Sequence, residues 1–160
     1  MNHPEPEFDL RAYLLGSAPG TAGAGRWSVE RQLLDRAAGT RGTFSGVVHF
    51  TPSGHDGGMV LREEGTMRWP SFTGPASREY LLKPAGRADA LDVFFADGRP
   101  FHRMSFAPEA NLDNHWCDPD TYRVTYTWAG PDRFGYVWDV SGPHKDLLLA
   151  SALKRLGSEA

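Results

Sequence analysis

From Trp27 onward, apolar residues in this chain recur at every second position. Period two is the repeat of a β-strand, whose side chains point alternately to opposite faces. Trp27, Val29 and Leu33 alternate with Ser28, Glu30 and Gln32, and Phe44, Gly46, Val48 and Phe50 continue the pattern in "TFSGVVHF". Met59, Leu61, Gly65, Met67 and Trp69 share one side of the next run, with Arg62, Glu64, Thr66 and Arg68 on the other; Tyr80 and Leu82 mark a fourth. "ALDVFFADGRPFHRMSF" predicts two strands joined at Asp97-Gly98, a pair suited to a type I′ turn. "APEANLDNHWCDPDT" shows no such repeat and is expected to be a long loop, with Pro119 opening a turn. Beyond it, "YRVTYTW" aligns Tyr122, Val124, Tyr126 and Trp128, and "FGYVWDV" aligns Phe134, Tyr136, Trp138 and Val140.

Two segments depart from the repeat. "FDLRAYLLG" has Asp9 placed to cap a helix and apolar residues at Leu10, Tyr13 and Leu14, which predicts a short helix broken by "SAPGTAGAG". The carboxy-terminal "HKDLLLASALKRLG" reads two ways. Leu149, Leu153 and Leu156 fit a helix closed by Gly157, whereas Leu147, Leu149, Ser151, Leu153 and Arg155 alternate as a strand would. Counting this segment, about nine strand-like stretches follow one another with no helix large enough to cover a sheet. The expected fold is all-β, a single antiparallel up-and-down β-barrel of about 8–10 strands that removes its edges by closing, with a two-sheet sandwich as the rival. Residues 1–24 are expected to hold the N-terminal helix and a Gly/Ala-rich lead-in, and residues 25–157 the barrel domain.

Bulk properties exclude several partners. A chain of 160 residues buries roughly two-thirds of the surface it exposes when unfolded, enough for a real core. Seventeen Lys and Arg stand against twenty Asp and Glu, the formal charge is −3, and no basic block is present, so nucleic acid is not an expected partner. No apolar run reaches the roughly 20 residues of a membrane helix, and "MNHPEPEFD" lacks the basic and apolar regions of a secretory signal. Cys117 is the one cysteine, which leaves no internal disulfide. The expectation is a cytoplasmic protein with no membrane association.

The informative residues are polar ones in register with apolar ones, because an unpartnered buried charge is costly. Arg31 falls on the face of Trp27, Val29 and Leu33, and Glu63 on the face of Met59, Leu61 and Met67. Arg78 shares a side with Tyr80 and Leu82, His102 shares one with Met104 and Phe106, and Tyr122 and Tyr126 add phenols. An interior with two arginines, a glutamate and a histidine is too polar for a simple core. Arg31 and Glu63 can form a structural ion pair, but a second arginine and His102 then still need partners. Arg78 is the natural candidate to present its fork to a ligand carboxylate or similar anion.

"HWCDPDTY" adds His115, Cys117 and Asp120, which with His102 make a weak candidate for a four-ligand metal site, against a plainer reading as turn residues beside a thiol. Cys117 as a nucleophile near His102 or His115, and His102 as an axial haem ligand, are further options without a supporting motif. His144 and Lys145, after the Gly142-Pro143 turn, are placed to line a barrel mouth.

The stretches "EEGTMRWPSFTGPASREY", "FADGRPFHRM", "HWCDPDTYRVTY" and "WDVSGPHKD" resemble a family of small proteins, found in actinobacteria and fungi, known as a domain of unknown function (number 6314). The likeness spans Gly25 to about Arg155 and brings no activity with it. A more distant resemblance is to lipocalin-like, or calycin, barrels, in which a G-x-W element opens the first strand and an arginine from the end of the barrel packs on the tryptophan. Gly25-Arg26-Trp27 matches the first part, and Arg155 is the candidate for the second. This resemblance implies that the last segment returns as a strand.

Three functions remain in competition. The first is a small-molecule binding barrel for a largely apolar ligand with an anionic or polar head, held by Arg31, Glu63, Arg78, Tyr80, His102, His115, Tyr122 and Tyr126; haem is a variant of it. The second is an enzyme in which His102, tuned by Glu63, Asp97 or His115, acts as general acid or base. The third is a scaffold with a filled core.

Overall fold

The computed structural model describes residues 8–16 and 25–157; the expected Gly/Ala-rich break at residues 17–24 lies outside them. A six-residue helix, α1 (Leu10–Leu15), precedes ten strands: β1 (Arg26–Asp35), β2 (Thr40–Ser53), β3 (Gly58–Trp69), β4 (Phe72–Pro84), β5 (Ala90–Phe95), β6 (Pro100–Ser105), β7 (Leu112–Cys117), β8 (Asp120–Trp128), β9 (Arg133–Ser141) and β10 (Asp146–Arg155). They form one antiparallel sheet in the order β6-β5-β4-β3-β2-β1-β10-β9-β8-β7. Pairing of β1 with β10, from Trp27 opposite Arg155 to Asp35 opposite Leu147, joins the two halves of the meander. A single sheet excludes the sandwich. The remaining edges, β6 and β7, meet at a seam where the Arg103 amide donates to Asp113 Oδ2 at 2.6 Å in place of a ladder. The barrel is thus nearly closed.

One end is sealed. Asp9 caps α1 by accepting from the Ala12 amide, and Gly16 ends it in the left-handed region at φ 63°. Leu10 and Leu14 are fully buried, and the Trp27 indole donates to the Leu14 carbonyl at 3.0 Å. Contacts from α1 to Gly57, Ala88 and Gly130 tie it to the loops at that end. The Arg155 guanidinium lies 4.2 Å from the Trp27 ring centroid, the packing implied by the G-x-W likeness. The other end, formed by the β1–β2, β3–β4, β5–β6, β7–β8 and β9–β10 turns, has no such plug among the described residues. No helix among them is long and apolar enough to cross a membrane.

One open alternative is resolved and two expectations need correction. The C-terminal segment, left open between helix and strand, is β10, because only an extended segment can close the ladder with β1 and β9. The supposed loop over residues 107–121 contains strand β7, which returns through Asp118-Pro119 into β8. The Asp97-Gly98 turn is not type I′, since no non-glycine residue among the described ones, Asp97 included, has positive φ. Gly98 donates to the Phe95 carbonyl and the Phe95 amide to the Arg99 carbonyl, a three-residue loop with Gly98 alone left-handed at φ 91°.

Gly46 and Gly65 face each other across β2 and β3, where the strands coil tightly. A Cβ on Gly46 would lie 2.1 Å from the Glu64 carbonyl oxygen and 2.8 Å from the Gly65 Cα. Backbone atoms cannot yield as a flexible side chain does. Gly46→Ala is therefore expected to destabilise the fold by roughly 2–4 kcal/mol in urea unfolding; a loss below about 0.5 kcal/mol would contradict this close approach.

Candidate ligand-binding site

Inside the barrel, cross-strand register assembles a polar cluster. Arg31 on β1 stands opposite Ser151 on β10, Ser151 opposite Tyr136 on β9, and Tyr136 opposite Tyr126 on β8. From the other direction, Glu63 on β3 stands opposite Arg78 on β4. Arg31 grips Glu63 with both terminal nitrogens, at 2.8 and 2.7 Å, and spends its remaining reach on Ser151 at 2.7 Å and the Tyr136 hydroxyl at 2.8 Å. Arg31 and Glu63 are 5% and 2% exposed, so this planar fork-to-fork pair is desolvated. Burial pushes the Glu63 carboxyl up, but the Arg31 hydrogen bond and the Arg78 and Arg31 charges outweigh it and hold the group below the ordinary carboxylate range.

Arg78 is held far less well. Its Nε is 3.0 Å from Glu63 Oε1, yet the approach is too oblique for a hydrogen bond; the group is an ion pair with a poorly used donor. Its other contacts, to the Tyr80 and Tyr136 hydroxyls, are 3.4 and 3.3 Å. A third of its side-chain area is accessible, and that area faces a chamber rather than the outer surface.

The chamber has a volume of about 500 Å³ and opens at the end of the barrel opposite α1. Its wall is aromatic: Phe95 stacks on Phe101 with centroids 4.3 Å apart, and Phe101 stacks on Trp138 at 5.0 Å with ring planes 6° apart. His115 meets Phe101 edge-on at 5.2 Å. Tyr80 and Tyr122 also line it, together with Cys117, Trp116 and Arg99, the last paired with Asp97 at 2.7 Å, and Lys145 at the mouth donates to the Tyr122 hydroxyl at 3.1 Å. Arg78 is the cation at the base.

A smaller void of about 40 Å³ lies further in and shares Arg78, Tyr80, Phe101 and Trp138 with the chamber. Here His102 Nε2 is 2.7 Å from the Tyr126 hydroxyl, so His102 points inward and meets a polar partner as its register predicts. Burial, then the His115 and Arg78 charges, pull its pKa down to about 3, while burial holds the Tyr126 phenol well above its ordinary value. The imidazole is neutral at physiological pH.

The sequence candidates thus separate. Arg78, Tyr80, His115 and Tyr122 line the chamber; Arg31 and Glu63 support it from behind; His102 and Tyr126 line the inner void. The proposed metal set does not converge: among the described residues no three His, Cys, Asp or Glu side chains come together. Cys117 is exposed and Asp120 pairs with Lys145 at 3.4 Å, so neither joins His102. Glu63 is committed to Arg31 and Arg78, and does not tune His102. A histidine held near 3 is a poor general base at neutral pH and is not charged to act as an acid. Its Nε2 is engaged and its Nδ1 buried, which presents no free nitrogen to the chamber for haem. Neither His144 nor Lys145 is part of the chamber lining; Lys145 reaches it only through the Tyr122 hydroxyl.

Residues 24–155 match the family of unknown function DUF6314. The chain belongs to that family. No curated protein sequence matches it. Among solved structures, the S-type phycobiliprotein lyase CPES from Guillardia theta is similar with a TM-score of 0.54 at 11% identity, covering 97% of this chain and 99% of the lyase. A redesigned β-barrel, mFAP1, in a structure bound to DFHBI, is similar with a TM-score of 0.45 at 18% identity, covering 91% of this chain and 99% of the design. At these identities the likeness to the lyase establishes a shared fold for this DUF6314 member.

Tyr136, Ser151, Phe95, Phe101 and Trp138 were not among the site candidates. Tyr136 and Trp138 lay on the aligned face of "FGYVWDV", so that signal was present. Phe101 was hidden by an irregularity: Val93 pairs with His102 and Phe94 with Pro100, so Phe101 is an extra residue in β6. The bulge lets two neighbours, Phe101 and His102, both face inward.

The buried imidazole sets a pH dependence. With the folded pKa depressed to about 3 from about 6.5, stability is unaffected well above pH 6.5 and falls as pH drops toward 3, because only the unfolded chain takes up the proton. Chemical unfolding of the wild type and His102→Gln at pH 6 and 5 should show the wild type losing about 1 kcal/mol more than the variant. Equal losses would contradict a neutral buried His102.

Proposed function

We propose that this barrel binds a small, largely apolar molecule carrying an anionic group, with the anion on Arg78 and the apolar body against the Phe95–Phe101–Trp138 wall. One observation carries this reading. Arg31 and Arg78 share a single carboxylate, Glu63, which leaves the interior with one uncompensated positive charge, and the under-used cation is the one facing the chamber. A cation whose accessible third opens into an aromatic-walled chamber favours an anion there, because a partly desolvated charge gains from a further partner. The chamber volume lies within the range of small-molecule sites, and barrels of this strand number leave room for one small ligand.

The residues named from sequence take definite roles in this proposal. Arg31 and Glu63 fix the Arg78 fork, Tyr80 and Tyr122 offer hydroxyls along the wall, and His115 gives an aromatic edge at the mouth. The binding unit is the barrel of residues 25–157. Its single cysteine suits a reducing, cytoplasmic setting, and its net charge of −3 favours small molecules over nucleic acid.

Isothermal titration with benzoate and 1-naphthoate against the matching neutral amides tests the reading. The acids should bind the wild type at least about tenfold more tightly than the amides, and Arg78→Leu should remove that preference while leaving amide binding in place. Equal binding of acids and amides by the wild type, or an acid preference that survives Arg78→Leu, would overturn it.

A further inference from the structure

The 40 Å³ void is lined by Arg78, Tyr80, Tyr126, Tyr136 and His102 among apolar side chains, and by no Asp, Glu, Asn or Gln. Its polar lining therefore holds no carboxylate or amide oxygen, and the Tyr80 and Tyr136 hydroxyl oxygens already accept from Arg78. The His102–Tyr126 pair holds two transferable hydrogens, one on the neutral imidazole and one on the phenol, and their 2.7 Å contact uses one of them. The second has no acceptor in either arrangement. If Tyr126 donates, the spare hydrogen is on Nδ1, which is buried without a partner. If His102 donates, the spare hydrogen is on the Tyr126 hydroxyl, whose one partner among the described residues is His102. A buried donor without an acceptor is rare and costly enough to require a reason.

We infer that this void is an inner subsite for one neutral acceptor oxygen, supplied by a carbonyl of the bound molecule or, without ligand, by water, and taken by the spare hydrogen of the His102–Tyr126 pair. The inference rests on the proposed anion site at Arg78 and extends it from a head group to a two-point ligand. Neutral oxygen is the fitting class because the pair carries no charge and the anion of the same molecule is taken by Arg78; beyond Arg78, Tyr80 and Tyr136 the lining is apolar, including Phe50, Leu82, Met104 and Leu153. The volume exceeds the roughly 10–15 Å³ that one water needs, which also suits a single carbonyl group. Phe101 and Trp138 stand between void and chamber, and Phe101 is the freer partition because it belongs to β6, an edge strand with no ladder on its outer side.

Two matched probes decide it: 4-acetylbenzoate, which carries a carbonyl, and 4-isopropenylbenzoate, its hydrocarbon isostere, each with the 3-substituted isomer. The wild type should favour the acetyl acid of at least one isomer pair by about three- to tenfold, against the intrinsic advantage of the more apolar isostere. The double variant H102F/Y126F should lose that preference and still bind both acids, whereas Arg78→Leu should weaken all four. Acids that bind without any acetyl preference overturn the inner subsite alone, and a failure of all four to bind overturns the anion site beneath it. A high-resolution crystal structure of the ligand-free protein gives a second readout that does not depend on the variant folding. An ordered water bonded to His102 or Tyr126 in the void is expected, and a dry void would overturn the inference.

Discussion

Two guanidinium groups share one carboxylate inside this barrel, and most of the architecture follows from how that shortage is arranged. Arg31 takes both Glu63 oxygens in line and completes its shell with Ser151 and Tyr136. Arg78 receives an oblique contact with the same carboxylate and two long ones with phenols. Buried ion pairs cost several kcal/mol in desolvation, so such a cluster is poor value as a source of stability alone. Its asymmetry is what distinguishes it: one arginine is saturated and structural, the other is positioned and short of acceptors. The same cluster also ties the strands to one register. A one-residue slip of β1, β3 or β4 would turn one member to solvent and strand the rest in the interior unpaired.

The ends of the barrel are unlike for a related reason. At one end α1, Trp27 and Arg155 pack into a closed aromatic and aliphatic plug, continuous with Phe134 and Phe50. At the other, no described residue plugs the aromatic wall of the chamber, and Lys145 stands at its mouth. Polarity therefore changes along the barrel axis, from a dry seal through the Arg31–Glu63–Arg78 layer to an accessible pocket. The seam between β6 and β7 runs beside this pocket and is bridged by Asp113 in place of ladder hydrogen bonds.

Much of this was legible in the sequence because period two fixes facing. Once Arg31, Glu63, Arg78 and His102 fall on apolar faces, their convergence needs only that the strands close, and the structure brings the three charged groups into one cluster. Legibility failed where the pattern inverts or shifts. In β7 the inward residues include Asp113 and His115 while Leu112 and Trp116 are exposed, so the strand looks like a loop to any search for buried apolar alternation. The extra residue in β6 broke the rule that neighbours face opposite ways, which concealed Phe101. In the Asp97-Gly98 loop the sequence pair suited a two-residue turn, but the hydrogen bonds enclose three residues. His102 was correctly placed inside, but its depressed pKa was not legible, because it follows from the depth of burial and not from register.

In the proposed complex the uncompensated charge at Arg78 receives the anionic group of a ligand within the chamber. Anomalous diffraction from crystals soaked in 4-iodobenzoate tests it directly, since the iodine marks the ring and the carboxylate follows from the density. An iodine peak is expected within the Phe95–Phe101–Trp138 chamber, with a carboxylate within about 4 Å of the Arg78 guanidinium. Iodine bound on the outer surface alone, or a carboxylate in the chamber turned away from Arg78 toward the mouth, would contradict it.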